Sequence, residues 1–456
     1  MKKSLVLFFA FFLCIYVSAQ ENKTKTWKAG VARVIITPKE SMWMAGFASR
    51  IRPSEGKLHE LWAKALAFED AEGKKAVLIT SDLSGIPKSI SDTIRNRLEK
   101  SYQLSRSEII FNTSHTHSGP VLQDALWDLY PLDENQKELI RTYTLKFENQ
   151  IVEMVGKALN SMKEVDIASQ NGIARFAVNR RNNVEASINA QTDLNGPSDY
   201  AVPLIRVSDK NGEILAIAFG YACHNTVLSG YDWSGDYAGY AQLQVEKMHP
   251  GATALFFQGC GANQNALPRK TVPLAKQYGH TLALAVEAAI ETNMKPLQPE
   301  LKTAYSEVNI ELEDAPSREE LSTIAAKETG YIKNWALNMI KKMDQGETFI
   351  KSYPYPLQFW TLGDQQLIAL GGEPMVDYAI NLKKIFGSQL FVLGYSNDVM
   401  AYIPTVAILR EGGYEGHTSQ MAFGLPAKWK ESVEPIIMGG ILDLAKELGI
   451  RFPESK

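Results

Sequence analysis

The chain has 456 residues and a formal net charge of −3, enough length for one large domain or two ordinary ones. Its 45% apolar and 22% charged residues are a globular composition. The near-balanced charge leaves no basic field for nucleic acid and no acidic tail, and no stretch of the body is apolar for the length of a membrane span.

The first residues stand apart. Lys2 and Lys3 precede an apolar block from Leu5 to Val17, and Val17-Ser18-Ala19 puts small residues at −3 and −1. That pattern predicts a signal peptide over residues 1–19, cleaved after Ala19, and export of the mature chain to the periplasm or beyond. The short block and the polar residues 20–26 after it speak against a membrane anchor. Cys14 follows Phe12-Leu13, which lack the small residue that lipoprotein processing prefers. The mature chain then keeps Cys223 and Cys260, enough for one disulfide and too few for a disulfide framework.

In chain order, residues 63–68 and 75–80 read as a hairpin turning at 69–73 and running into Ser81-Asp82. Helical periodicity follows over 88–100. A short apolar strand, 109–112, leads into Ser114-His-Thr-His-Ser-Gly-Pro120, and a long helix is predicted over 134–162. A second hairpin pairs 204–207 with 214–219 and ends at Cys223-His224-Asn225. After it come a helix over 240–248, a strand over 254–257, the polar loop 258–265 and a helix over 272–292. Residues 314–343 read as one inserted helix, a packing element rather than a lid. The third hairpin, 357–362 with 366–370, ends at Gly371-Gly-Glu373-Pro374. Strand 390–393 runs into residues 394–398, and a final helix covers 432–448. This alternation predicts a mixed α/β fold: mixed β-sheets with flanking helices, one catalytic domain over 27–456, and a shared site at the strand ends. No internal repeat of fixed period, low-complexity tract or interdomain linker is visible.

The strongest chemical signal is His115 with His117. On an extended segment, imidazoles at i and i+2 project to one side, and neutral imidazole is both a common metal ligand and a proton shuttle near pH 7. Zinc takes about four ligands, with one position left open in catalytic sites. The candidates are His115, His117, His224, Glu373 and Tyr402. His224, between a strand end and Asn225-Thr226, suits a ligand better than a buried histidine satisfied by a carbonyl. Glu373 sits among glycines and a proline, either as a ligand or as a surface glutamate. Arg180 is either a fixed oxyanion clamp or half of a solvated arginine pair. Asp82 and Asp236 either orient a ligand histidine or cap the following helix. His59, His249, His280 and His417 read as structural or exposed. Residues 259–263 lack the Lys-Ser/Thr end of a P-loop, and no Gly-x-Ser-x-Gly elbow is present. Ser118 would face away from His117 on a strand.

Gly30-Val-Ala-Arg-Val-Ile-Ile-Thr-Pro38, Met44-Ala-Gly-Phe47, Thr80-Ser-Asp-Leu83 and the His115/His117 run occur in the order seen in neutral ceramidases. So do Val178-Asn-Arg180, His224 with Ser234-Gly-Asp-Tyr-Ala-Gly-Tyr-Ala241, and Gly372-Glu373. Asn397-Asp-Val-Met-Ala-Tyr402 parallels that family's Asn-x-Tyr-x-x-Tyr stretch, and Tyr414-Glu-Gly416 follows. The chain thus resembles that family over residues 29–416. The resemblance implies zinc on His115, His224, Glu373 and Tyr402, with His117 beside the metal as a proton-transferring group and Arg180 facing the substrate carbonyl. Two departures stand out. Asn263 replaces the serine of the family's Gly-Asp-x-Ser-Pro-Asn loop, and the sandwich-like carboxyl-terminal domain expected of the family does not follow.

The resulting expectation is an exported zinc hydrolase that cleaves an amide with metal-activated water, ceramide being the substrate the resemblance implies. Its partner is a small acyl compound or a lipid, and a second ion, calcium or magnesium, stays open. The alternatives are a zinc hydrolase of another ester, lactone or sugar-linked acyl compound, and a metal- or ligand-binding protein without catalysis.

Overall fold

A computed structural model describes residues 25–452, so the expected signal peptide lies outside the described residues. The chain folds as three successive units of the same design. The first contains β1 (Trp27–Ile35), β2 (Trp62–Glu69), β3 (Lys75–Ser81), α1 (Lys88–Tyr102), β4 (Ile109–Thr113) and α2 (Glu134–Asn160). The second contains β5 (Lys163–Ile173), β6 (Ala201–Asp209), β7 (Ile214–Tyr221), α3 (Asp236–Met248), β8 (Thr253–Gln258) and α4 (Val272–Ile290). The third opens with β9 (Leu301–Glu311) and carries two inserted helices, α5 (Arg318–Lys327) and α6 (Gly330–Asp344). It continues with β10 (Ser352–Leu362), β11 (Gln365–Leu370), α7 (Val376–Phe386), β12 (Phe391–Leu393) and α8 (Val433–Glu447).

Within each unit the first strand pairs antiparallel with a hairpin, and the fourth strand lies parallel to the hairpin's second strand. A parallel neighbour needs a crossover, and α1, α3 and α7 supply it. Antiparallel pairing of β1 with β5 joins the first two units into one sheet, ordered β8-β7-β6-β5-β1-β2-β3-β4. The third unit keeps its own sheet, β9-β10-β11-β12.

Alternation along the central strands explains the layering. Val77, Ile79, Ile109 and Phe111 face α1 and α2, whereas Leu78 and Ile110 face an inner core shared by all three units. Phe219 and Phe256 face α3 and α4, with Ala218, Leu255 and Phe257 turned inward. Ile368 and Val392 face α7 and α8, with Leu367, Phe391 and Leu393 inward. Strands buried on both faces read as the nearly continuous apolar runs seen in the sequence.

All three hairpins form where expected. The first strands β1, β5 and β9 were not expected. β5 and β9 are half-exposed and polar-rich, and in all three strands pairing partners rather than local pattern define the element. The expected single helix over 314–343 is corrected to two, broken at Thr329-Gly330, where Gly330 has φ +60°. Together they bury Leu321, Trp335 and Met339 against Met421, so the element packs, as expected. The sequence leaves open whether Cys223 and Cys260 are bonded, and the structure shows that they are not. Both are buried free thiols, Cys223 in the core of the second unit and Cys260 in that of the third.

The three fourth strands meet at one side chain. Asn112, at the end of β4, donates from Nδ2 to the carbonyls of Gly394 (2.7 Å) and Gln258 (3.2 Å) and to Ser396 Oγ (3.1 Å). Its Oδ1 accepts from the Gln258 amide at 2.7 Å. Asn112 is fully buried, so its loss strands several polar groups at about 1–3 kcal/mol each. Asn112→Ala is expected to lower the unfolding free energy by at least about 3 kcal/mol in urea denaturation. A loss under about 1 kcal/mol would remove this residue from the role of central tie.

Candidate metal centre

Strand ends of all three units supply the candidate residues. His115 and His117 follow β4, His224 follows β7, Glu373 follows β11 and Tyr402 lies beyond β12. The two first-unit histidines do not share the face of a strand, as period two would have it. The strand stops at Thr113, and His115 takes φ +58°, a left-handed conformation that turns the backbone. The rings converge through that turn, their centroids 4.7 Å apart and their planes at 80°. Asp236, Tyr395 and Asn397, near the other strand ends, also have positive φ, a concentration of strain typical of functional sites.

His115 Nε2 lies 3.0 Å from His117 Nε2 and 3.3 Å from Glu373 Oε2. His224 Nε2 lies 3.3 Å from the same carboxylate oxygen and 3.2 Å from Tyr402 Oη. The opposite ring edges fix the tautomers. His115 Nδ1 donates to the Ser84 carbonyl at 2.6 Å, and His224 Nδ1 donates to the Gly261 carbonyl at 2.7 Å. A carbonyl can only accept, so each Nδ1 carries the hydrogen and each Nε2 presents a lone pair. Two lone pairs and a carboxylate oxygen meeting in a buried space repel one another unless a cation lies between them, so the residues fit a metal ion. Among the described residues, His115, His117 and His224 form a buried group with ligand atoms within 4.8 Å of one another, able to hold a metal.

The electrostatics agree with neutral imidazoles. Burial, followed by the Arg180 charge, lowers His224 to about 4. Burial, reinforced by the neighbouring histidines, holds His117 well below its ordinary value. For Glu373 burial works upward, but His115 and His224 outweigh it and keep the carboxyl well below the usual carboxylate range. His117, His224 and Glu373 are thus deprotonated at neutral pH, as ligands must be. Glycines permit the approach. Gly372 (φ +62°) turns the chain into Glu373, and a Cβ on Gly46 (φ +106°) would overlap the His117 ring.

Arg180 is not a solvated arginine. Its Nε donates to Glu415 Oε1 at 2.8 Å and its Nη2 to Tyr402 Oη at 3.2 Å. Arg181 grips the other oxygen of Glu415, also at 2.8 Å. The guanidinium is thereby locked in plane and aimed at the candidate ligands.

Two expected helpers, Asp82 and Asp236, do other work. Asp82 touches no ligand histidine and caps no helix: it accepts from the Trp62 amide and Gln242 Nε2, while the Ser84 carbonyl orients His115. Asp236 also leaves the histidines alone. It stands at the start of α3 and accepts from the Leu228 amide, which pins the loop after His224. Asn263 is joined to both neighbouring parts of the site. Its carbonyl accepts from the Arg180 amide at 2.8 Å, and its Oδ1 takes the Val376 amide at 2.9 Å, at the start of α7 three residues past Glu373. His59 and His249 are bonded to Ser234 and Glu287, and His280 and His417 are exposed, as expected.

Sequence reasoning missed Ser84 and Gly261, which act through backbone carbonyls, and Arg50. The buried Arg50 donates to the His117 carbonyl at 2.7 Å. It also missed Asp398, buried at the wall of the cavity in front of the site, whose carboxyl is pushed up to about 7 by burial. That cavity, about 170 Å³, runs from His115, His117, Glu373 and Tyr402 past Leu122, Leu126, Leu129, Phe423 and Leu425.

Residues 27–309 match the family model described as neutral/alkaline non-lysosomal ceramidase, N-terminal, and the chain belongs to that family. Neutral ceramidase B of Dictyostelium discoideum is 26% identical over 221 residues, covering 46% of this chain and 30% of that protein. Neutral ceramidase of Drosophila melanogaster is 24% identical over 294 residues, covering 58% and 38%. The chain thus spans about a third of the length of these relatives. The crystal structure of neutral ceramidase from Pseudomonas aeruginosa superposes with a TM-score of 0.72 at 18% identity, covering 95% of this chain and 76% of that one, a likeness of fold.

Two outcomes follow. Zinc added to metal-free protein is expected to raise the melting temperature by several degrees, because a ligand of the native state alone stabilises it. The His115→Ala/His224→Ala double variant should show no rise; an equal rise would place the ion elsewhere. The second outcome concerns pH. The folded chain holds the Asp398 proton more tightly than an unfolded chain, whose aspartate titrates near about 3.9. Stability from this group is therefore full below about 4 and declines up to about 7, by an amount of the order of 4 kcal/mol. Tyr353, Lys88 and Asp92 face the same carboxyl and stay unchanged in Asp398→Asn. Denaturation at several pH values should show that loss in the parent chain and a flatter profile in the variant.

Proposed function

We propose that this chain is an exported, zinc-dependent hydrolase that cleaves the amide bond of an acylated amine, ceramide being the first substrate to try. The observation that carries the reading is the convergence of His115 Nε2, His224 Nε2 and Glu373 Oε2, with Tyr402 Oη beside them, while both Nδ1 hydrogens are held by carbonyls. Those four side chains would hold the zinc. When bound, zinc supplies Lewis acidity and lowers the pKa of water from about 15.7 to about 7.

The chain's own residues do the rest. Arg180, fixed by Glu415, faces the carbonyl oxygen of the substrate and stabilises the negative charge that develops there, with Tyr402 adjoining it. His117 is neutral, and its Nδ1 has no partner among the described residues. It is the group to take up a proton and deliver it to the leaving amine. Leu122, Leu126, Leu129, Phe423 and Leu425 exclude water from the cavity and receive an acyl chain. Asn263 supplies no nucleophile. It holds Arg180 and the start of α7 in place, so no serine is required there. The amino-terminal segment, Lys2-Lys3 with the apolar block and Ala19, supports export, and residues from 27 onward act as a single catalytic unit.

The experiment is a metal analysis of purified protein joined to hydrolysis of short- and long-chain N-acyl amides, ceramide among them, and of matched esters. About one zinc per chain and turnover of at least one amide are expected. His224→Ala should fold, lose the metal and lose activity. Arg180→Lys should lower kcat about 100-fold with KM little changed, because a point charge does not replace the rigid fork. Full zinc loading without turnover of any acyl compound would overturn the hydrolase reading in favour of a binding protein.

A further inference from the structure

A second cavity, of about 550 Å³, lies between α5 and the segment 417–428, apart from the candidate metal centre. Glu319, Glu320, Thr323 and Ile324 turn one face of α5 toward it, while the helix buries Leu321 and Ala325 on its other side. Ile324, Trp335, Met421, Leu425 and Pro426 make an apolar floor. Trp335 Nε1 already donates to the Leu425 carbonyl at 2.8 Å. Four carboxylates surround that floor: Glu313, Asp314, Glu319 and Glu320. Glu320 caps α5, accepting from the Ser317 amide at 2.7 Å, and acids in a first turn suit the helix dipole. Neither reason covers Glu313 and Asp314. The neighbouring bases Arg318 and Lys430 are paired with Asp344 and Glu311, which leaves Glu313, Asp314 and Glu319 without an ion pair among the described residues.

A second, independent sign is Gln420. It lines the cavity at 1% exposure, and neither atom of its carboxamide has a partner among the described residues. A buried amide left so is costly. Both atoms lie beneath the cavity surface, so a turn of the side chain is what brings them to a ligand. The charges point to the kind of ligand. Among the described residues, the only group of three or more His, Cys, Asp or Glu side chains close enough to share an ion is His115, His117 and His224. The carboxylates here are too dispersed to chelate a metal and suit a wider, organic cation. We propose that this cavity is a binding site for a small organic ammonium compound with an apolar body, its chain on Trp335 and Met421 and its cationic end toward Asp314 and Glu319. Burial of the apolar body supplies affinity, and the carboxylates select a cation over a neutral chain. None of the candidate metal ligands lines this cavity, and Leu425 alone belongs to both cavities. The inference therefore stands apart from the hydrolase reading.

The test is calorimetric titration of the full chain with n-octylammonium, octyltrimethylammonium and 1-octanol, which share one chain and differ in charge and in N–H groups. At low salt the primary ammonium should bind at least about fivefold tighter than the alcohol, and the gap should narrow as salt rises. Asp314→Asn/Glu319→Gln changes two exposed positions and should weaken octylammonium about fivefold, with octanol unchanged. Gln420→Leu should bring the primary and quaternary ammonium compounds within about twofold of each other, because only the primary one donates a hydrogen bond. A difference that survives Gln420→Leu would remove Gln420 from the site. The His115→Ala/His224→Ala variant should bind octylammonium as the parent does, and loss of binding there would move the ligand to the metal centre and overturn the proposal. Octanol as tight as octylammonium would mark a merely apolar face, and an acidic double variant that binds like the parent would leave the carboxylates without a role. Either result, or no saturable binding of any of the three compounds, would overturn the site.

Discussion

The structure depends on bringing three strand ends to one point and holding them there without water. Asn112 does this with both ends of its carboxamide, tying its own strand to the last residue of β8 and the first residue after β12. Further backbone bonds join the same ends: Gly394 to Gln258, Asn397 to Phe111 and Thr113 to Tyr395. Ladder pairing would have continued these strands past one another. The left-handed residues His115, Tyr395 and Asn397 stop it and turn the loops across the top of the inner core. The strain at each is of order 1–3 kcal/mol and persists because the surrounding bonds over-determine the backbone.

Once the strand ends are fixed, the site follows from which unit supplies which group. The first gives two histidines, the second a histidine and a carbonyl to hold it, the third a carboxylate and a tyrosine. No single unit has enough ligands to hold an ion. Arg180 and Glu415 cross the same junction, from the second unit to a turn in the third, so the proposed clamp also forms only when the units are assembled. Burying Arg180, Arg181 and Glu415 together is tolerable because the carboxylate has a donor for each oxygen.

Much of this was legible in the sequence. The hairpins are strong local signals, with turn residues between apolar runs, and each was followed by a polar cluster that the fold brings into one place. His115, His224, Glu373, Tyr402, His117 and Arg180 meet as a group. The first strands of the units escaped notice because β5 and β9 expose much of their length and owe their conformation to partners distant in sequence. The threefold design escaped for a related reason. Insertions of unequal length, the α5–α6 pair above all, destroy any fixed period, and the recurrence lies in pairing pattern rather than in residue identity. Asp82 and Asp236 misled because an acidic residue at a strand end has several donors within reach, and sequence does not say which one it meets.

Asn263 shows how one position serves the site without touching it. Its backbone and side chain together close a circuit: the backbone carbonyl takes the Arg180 amide, the side-chain oxygen takes the Val376 amide, and Val376 lies one turn beyond Glu373. The asparagine side chain, from a loop distant in sequence, satisfies the first amide of a helix whose own N-cap, Met375, offers no side-chain acceptor. Serine could accept the same amide but is shorter, with no amide group to reach Asp377 at 3.4 Å. The residue that resemblance marks as a departure is therefore accounted for by the hydrogen bonds around it. The proposed chemistry then rests on the histidines, the glutamate, the tyrosine and the clamped arginine, and the loop around Asn263 supports their arrangement.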